Sequence, residues 1–205
     1  MTGVQTCALP IFDGVLAGKT LTKIVTSYHR ICVLDTEGKV YCWGQNTNGQ
    51  LGNGTNTDSN IPVAVDTSGV LAGKTLQQLT IKSATICALD TEGKVYCWGY
   101  NNQGQLGNGT NTDSNVPVAV DTSGVLAGKT LQQIISRGGS VCALDTEGKA
   151  YCWGYNTNGQ LGNGTNINSN VPTAMSLPAA AATAVVTINH KPEVEIGRAS
   201  CRERV

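Results

Sequence analysis

The chain has 205 residues, enough for one ordinary domain. Its 14 Lys and Arg balance its 14 Asp and Glu, which leaves no basic footprint for nucleic acid or an anionic membrane surface. No run of about 18 apolar residues exists to make a membrane-spanning helix, and 25 glycines against a single Phe favour turns and short strands over long helices.

The first segment, MTGVQTCALPI (residues 1–11), has neither the basic start nor the apolar stretch of a signal peptide. Back-translated with GTG as the start codon, it resembles a sequencing adapter. The last segment, EIGRASCRERV (residues 195–205), back-translates to the partner adapter followed by a stop codon. Both ends are therefore expected to be adapter-derived and are set aside in reasoning about the fold. Cys7 and Cys201 leave with them, so eight cysteines become six. What lies between is then expected to be a fragment of a longer chain, with any signal peptide outside it.

From residue 12 to 173 the chain is one unit written three times, at 14–68, 69–123 and 124–173. GVLAGKTL begins at Gly14, Gly69 and Gly124, a fixed period of 55. Each unit opens on a strand-rich segment (LTKIVTSYHRICVLD in the first). A TEGK turn comes next, then VYCWG or AYCWG, a Gly- and Asn-rich loop (NTNGQLGNGTN or NNQGQLGNGTN), and a short strand such as NVPVAVD. Apolar residues alternate or cluster in runs of four to six between Gly, Asn, Asp and Pro, which is the signature of strands. No 3.6-residue period is sustained. The pattern predicts an all-β fold with about four short strands per unit, arranged as propeller blades or as a solenoid. After the third unit, residues 174–194 break the period: their Ala-rich part predicts a linker, and AVVTINH the first strand of another segment.

The recurring Cys-Ala-Leu-x3-Gly-x-Val-Tyr-x-Trp-Gly-x-Asn-x2-Gly-Gln-Leu-Gly-x-Gly resembles the repeat of the regulator of chromosome condensation family. The resemblance covers about residues 14 to 173 and implies a β-propeller, usually of seven blades. The expected fold is a partial propeller of three four-stranded antiparallel blades, not closed, because propellers take four to eight. The family often has His three positions before the Cys. His29 keeps it, whereas Ala84 and Gly139 replace it, so a packing or hydrogen-bonding niche is expected for His29.

Each unit carries two cysteines ten positions apart: Cys32 and Cys42, Cys87 and Cys97, Cys142 and Cys152. If Gly93 takes the left-handed position of a three-residue hairpin loop, Asp90 pairs with Lys94 and Cys87 falls opposite Cys97 in a close cross-strand pair. That geometry admits a disulfide; two buried free thiols are the other structural reading. Zinc prefers C-x2-4-C knuckles or added His, and a redox centre wants C-x-x-C at a helix start; neither is present. Disulfides would imply an oxidising compartment, hence an extracellular or cell-surface protein.

Other motifs point away from chemistry. Asn56, Asp58 and Asn60 alternate as Ca²⁺ ligands can, as do Asn111, Asp113 and Asn115, but the third copy loses its Asp and a polar interstrand loop accounts for the pattern. NGT at Asn53, Asn108 and Asn163 is a glycosylation sequon and also the repeat's turn. Trp43, Trp98 and Trp153 are expected to pack between blades rather than serve as exposed anchors. No catalytic residue, cofactor site or metal site is expected, and the chain is read as not an enzyme.

The expected function is a non-enzymatic scaffold that binds a protein, with no nucleic acid partner and no membrane insertion in this stretch. Thr26–Arg30, Lys82–Thr85 and Ser136–Ser140 are where the copies differ, and they are the candidate ligand-facing edge. Alternatives are guanine-nucleotide exchange on a small GTPase, inhibition of a secreted enzyme, and a non-catalytic part of a larger surface enzyme.

Overall fold

The computed structural model describes residues 14–176. The two terminal segments, and all but the first residues of the expected linker, lie outside it. After a short 3-10 turn at Gly14–Leu16, twelve strands follow in three groups of four. The first group is β1 (Leu21–Ser27), β2 (Arg30–Asp35), β3 (Val40–Gly44) and β4 (Ser59–Ala64). The second is β5 (Leu76–Lys82), β6 (Thr85–Asp90), β7 (Val95–Gly99) and β8 (Ser114–Ala119). The third is β9 (Leu131–Arg137), β10 (Ser140–Asp145), β11 (Ala150–Gly154) and β12 (Ser169–Ala174). Each group is an antiparallel sheet with its strands in chain order, and the set is not closed into a ring.

Local chemistry sets each turn. Between β6 and β7 the loop is Thr91-Glu92-Gly93, with Gly93 at φ +78°; Asp90 N–H donates to Lys94 O and Gly93 N–H to Asp90 O. Between β5 and β6 the loop is two residues, and Ser83 stands at φ +53°; Tyr28 does the same at +46° between β1 and β2. The third copy places Gly138 and Gly139 there, for which positive φ carries no steric cost. The long loop from β3 to β4 is folded around Asn46. Its buried amide donates to Thr55 O and Thr57 O, and its Oδ1 accepts from Leu51 N–H.

The apolar cores lie between sheets. One joins Cys32, Leu34, Val40, Cys42 and Leu51 of the first unit to Leu79, Ile81, Ile86, Ala88, Tyr96 and Trp98 of the second. An equivalent one joins Cys87, Leu89, Val95, Cys97 and Leu106 to Ile134, Val141, Ala143, Tyr151 and Trp153. The middle sheet thus buries both faces against its neighbours, and a blade alone has no core of its own. Strands β1, β5 and β9 approach one another along the inner side of the array.

Candidate functional site

The hairpin register sets Cys32 opposite Cys42, Cys87 opposite Cys97 and Cys142 opposite Cys152. The Cα atoms are 4.1 Å apart in each pair, the closer, non-hydrogen-bonded kind of cross-strand neighbour. The S–S distances are 2.14, 2.12 and 2.16 Å. The first two bridges lie inside the cores between blades, where the sulfurs pack against the next sheet as well as tying their own hairpin.

Trp98 and Trp153 are fully buried. Each indole N–H donates to the carbonyl of the preceding blade, Trp98 Nε1 to Gln50 O at 3.0 Å and Trp153 Nε1 to Gln105 O at 2.9 Å. Gly52 and Gly107 make room for them: a Cβ on either glycine would stand 2.7 Å from the indole nitrogen. Trp43 occupies the same position in the first blade and is half-buried, packed against Leu16, Val33 and Tyr41.

One feature of the turn is not visible in its sequence. Asp90 is fully buried. Its Oδ1 accepts from Glu92 N–H and Lys94 N–H, and its Oδ2 accepts the Tyr96 hydroxyl at 3.0 Å. Asp35 with Tyr41 and Asp145 with Tyr151 repeat the arrangement. Burial, and then the hydrogen bond to Asp145, push the Tyr151 hydroxyl up to about 12. The only hint in the sequence was the spacing of Asp and Tyr, six residues apart, in every copy.

The three segments where the copies differ all fall at the β1–β2, β5–β6 and β9–β10 turns, on one end of the array. Ser27 Oγ donates to Ser83 O at 3.4 Å, and Thr80 and Ser136 hydroxyls meet at 2.7 Å, so these hairpins are neighbours in space. Arg30 is buried and its guanidinium ties two tips together, donating to Gln45 O, Gln45 Oε1 and Ser83 O. Burial pulls its pKa down. Tyr28 is 81% exposed, and the Lys82 ammonium lies 6.0 Å from its ring centre. Arg137 is also exposed. A packing or hydrogen-bonding niche was the expectation for His29; it stands exposed at its hairpin tip, so the packing alternative does not hold. The segments 26–30, 82–85 and 136–140 contain no acidic residue.

The opposite end is the same in every blade. Lys19, Lys74 and Lys129 of the GVLAGKT turns bridge to Glu37, Glu92 and Glu147 at 2.7, 2.6 and 2.9 Å. The long loops lie at the tip end, since Gly44 pairs with Arg30 and Gly99 with Thr85; in them Asp58 and Asp113 accept the backbone N–H of Asn46 and Asn101. Asn168 takes the same place for Asn156 N–H, so the position needs an acceptor oxygen and not a charge. Among the described residues, no group of three His, Cys, Asp or Glu side chains is placed to hold a metal ion. No described helix is long and apolar enough to cross a membrane.

Sequence profiles of the Regulator of chromosome condensation (RCC1) repeat match residues 37–77, 92–143 and 147–188, and a second profile of the same repeat matches 21–50 and 77–105. The chain belongs to the RCC1 repeat family. The matched spans 37–77 and 92–143 run from the third strand of one sheet into the start of the next, so the family repeat is out of phase with the blade. Human E3 ubiquitin-protein ligase HERC2 is 30% identical over 161 residues, 77% of this chain and 3% of that protein. The Ultraviolet-B receptor UVR8 of Arabidopsis thaliana is 28% identical over 82% of this chain and 36% of its own length. Among solved structures, human WBSCR16 is similar with a TM-score of 0.69 and 27% identity, over 78% of this chain and 38% of that one. Prp20p of Saccharomyces cerevisiae has a TM-score of 0.66 at 17% identity, over 78% and 39%, and shares the fold. The chain therefore spans well under two thirds of these relatives.

Proposed function

We propose that this RCC1-repeat array is a non-enzymatic protein-binding scaffold whose partner docks on the β1–β2, β5–β6 and β9–β10 hairpin tips. One observation carries the reading. Copies that are otherwise nearly identical differ mainly in these turns and the strands that lead to them, and folding gathers the three turns on one end of the array. The other end repeats the same salt bridge in each blade. Packing accounts for the shared residues; it does not account for an 81% exposed Tyr28 at positive φ. Tyr and Arg are side chains that protein interfaces favour. With Lys82 and Arg137 present and no carboxylate in the three turn segments themselves, the fitting partner surface is acidic. Prp20p, a fold relative, is described with binding to Gsp1p and histones, which supports a binding role for the architecture.

The same reading places the protein outside the cell or on its surface. Its support is the three cysteine pairs at bonding distance, since such bridges persist in oxidising compartments.

The test replaces three tip side chains together (Tyr28→Ser, Lys82→Ser, Arg137→Ser) and, in a control, the opposite end (Lys74→Ser, Glu92→Ser). Partners cross-linked in an extract of the native host are identified, and their affinity is measured against each form at low and high salt. Binding should be lost in the tip variant, retained in the control and weakened by salt. Equal affinity of the tip variant and the parent would refute the reading. Alkylation of the unreduced protein from its host, followed by mass spectrometry, tests the compartment: six free thiols would refute an oxidising one.

A further inference from the structure

In the long loops the Asn-Gly-Thr steps fold into turns built on the asparagine side chain. Asn53 Oδ1 accepts from Thr55 N–H at 3.2 Å and from the Thr55 hydroxyl at 2.9 Å. Asn108 Oδ1 accepts from Thr110 N–H at 3.1 Å and from the Thr110 hydroxyl at 2.8 Å. Between them stand Gly54 and Gly109, both at φ +81°, a conformation that glycine takes without steric cost. Both glycines and both threonines are exposed.

The amide oxygen of each asparagine is thus engaged, and the amide nitrogen is not. Among the described residues, neither Asn53 Nδ2 nor Asn108 Nδ2 donates to any protein atom. Every buried side-chain nitrogen and oxygen of the described residues has a partner. These two nitrogens have none, so they lie open to solvent, although the side chains that carry them are half-buried. Other asparagines of the same loops differ. Asn46 and Asn101 are fully buried and donate to Thr55 O and Thr110 O. Asn56 and Asn111 are exposed but donate to Thr47 O and Asn102 O, and an Asp stands two residues after each. Asn163 has the Gly-Thr step, but its nitrogen donates to the Thr173 hydroxyl at 3.3 Å. Only at Asn53 and Asn108 does an unengaged, solvent-facing nitrogen coincide with a hydroxyl residue two positions on.

We propose that Asn53 and Asn108 carry N-linked glycans. The inference rests on the reading of the protein as exported, because Asn-x-Ser/Thr serves as an acceptor in secreted chains. The donor is an oligosaccharide carried on a lipid diphosphate, and a membrane-bound transferase performs the step. Nδ2 attacks the anomeric carbon. The carbon–nitrogen bond forms as the carbon–oxygen bond to the diphosphate breaks. The lipid diphosphate leaves with the bonding pair, and the nitrogen gives one proton to a base of the transferase; nothing is oxidised or reduced. The product keeps the amide oxygen and one N–H. Both hydrogen bonds from the threonine therefore survive in the glycosylated, folded chain. The sugar grows from an atom that folding leaves without a partner, so the blades dock with the glycan in place. The two sites lie one repeat period apart, which sets one glycan at the same place on each of two adjacent blades.

The experiment takes the full-length chain from its native host. N-linked glycans are released enzymatically in heavy-oxygen water, which converts each modified Asn to labelled Asp, and the sites are read by peptide mass spectrometry. Label is expected at Asn53 and Asn108. The double variant Thr55→Ser, Thr110→Ser keeps the hydroxyls and should keep the label. Thr55→Ala, Thr110→Ala should lose it, with the parent's far-ultraviolet circular dichroism as the check that the blades still form. The thiol state of the same sample separates the two readings. Unlabelled Asn53 and Asn108 in a chain whose cysteine pairs are bridged would overturn the glycans and leave the oxidising compartment standing. Unlabelled sites together with free thiols would overturn both. Label that persists in the Ala variant would overturn transfer through these Asn-Gly-Thr steps.

Discussion

Asp90 gathers three hydrogen bonds at one buried carboxylate, and its replacement tests whether the turn is held by that hub or by the hairpin alone. Asp90→Ala leaves the buried Tyr96 hydroxyl without an acceptor, which costs about 1–3 kcal/mol. It also removes the acceptor of two backbone N–H groups at the partly exposed turn, at about 0.5–1.5 kcal/mol each. The expected loss is near 4 kcal/mol. For a folded unit of this size that lowers the melting temperature by roughly 8–16 °C. Asp90→Asn is the discriminating control. Its Oδ1 keeps both backbone bonds and its amide can donate to the tyrosine oxygen, so about 1 kcal/mol is expected. Tyr96→Phe should fall between the two, and in the Asp90→Ala background it should cost little, because the pair is already broken. Urea denaturation followed by circular dichroism gives each value. A loss under about 1 kcal/mol for Asp90→Ala, or equal losses for Ala and Asn, would show that the hub does not hold the turn.

Three further outcomes are expected. Gly107→Ala places a Cβ 2.7 Å from the Trp153 indole at φ +64°, so it should cost about 2–5 kcal/mol, whereas Gly128→Ala, at φ +68° with nothing within 4 Å, should cost about 1–2 by calorimetry. Burial raises Tyr151 to about 12 and also pushes Tyr96 up, while an unfolded tyrosine ionises near 10. The unfolded chain thus loses its protons first, so stability should be complete below about pH 10 and fall as pH climbs toward 12, with a shallower fall in Tyr151→Phe; a flat urea midpoint across that window would contradict it. Replacing Cys87 and Cys97 together by Ala removes a bridge with a sequence separation of 10. The chain-entropy term is about 2.7 kcal/mol, and lost packing against the third blade should bring the measured loss above it.

Much of the fold was legible because its determinants are local. Alternation, Gly and Asn punctuation and the 55-residue period mark the strands. Counting outward from a three-residue loop ending in Gly93 puts Cys87 across from Cys97 without any tertiary information. The candidate face was legible only as the positions where copies disagree. Its chemistry was not: the burial of Arg30 does not follow from TSYHR, because it depends on the Gln45 and Ser83 carbonyls supplied by other segments. In the sequence Asp90 stands only as the partner of Lys94 at the base of the loop; that it is a buried hub for Tyr96 depends on a residue across the hairpin.

The sequence by itself determined the repeat, the strand order and the pairing within each hairpin, all of which are settled by residues a few positions apart. The tertiary structure alone decided what those residues touch. The middle blade shows it: Trp98 is sealed and donates to the Gln50 carbonyl of the blade before, and Leu79 is core against that same blade. The physical reason is that a blade has no core of its own. Its apolar faces gain their burial from the next blade, and that gain depends on neighbours that lie 55 residues away.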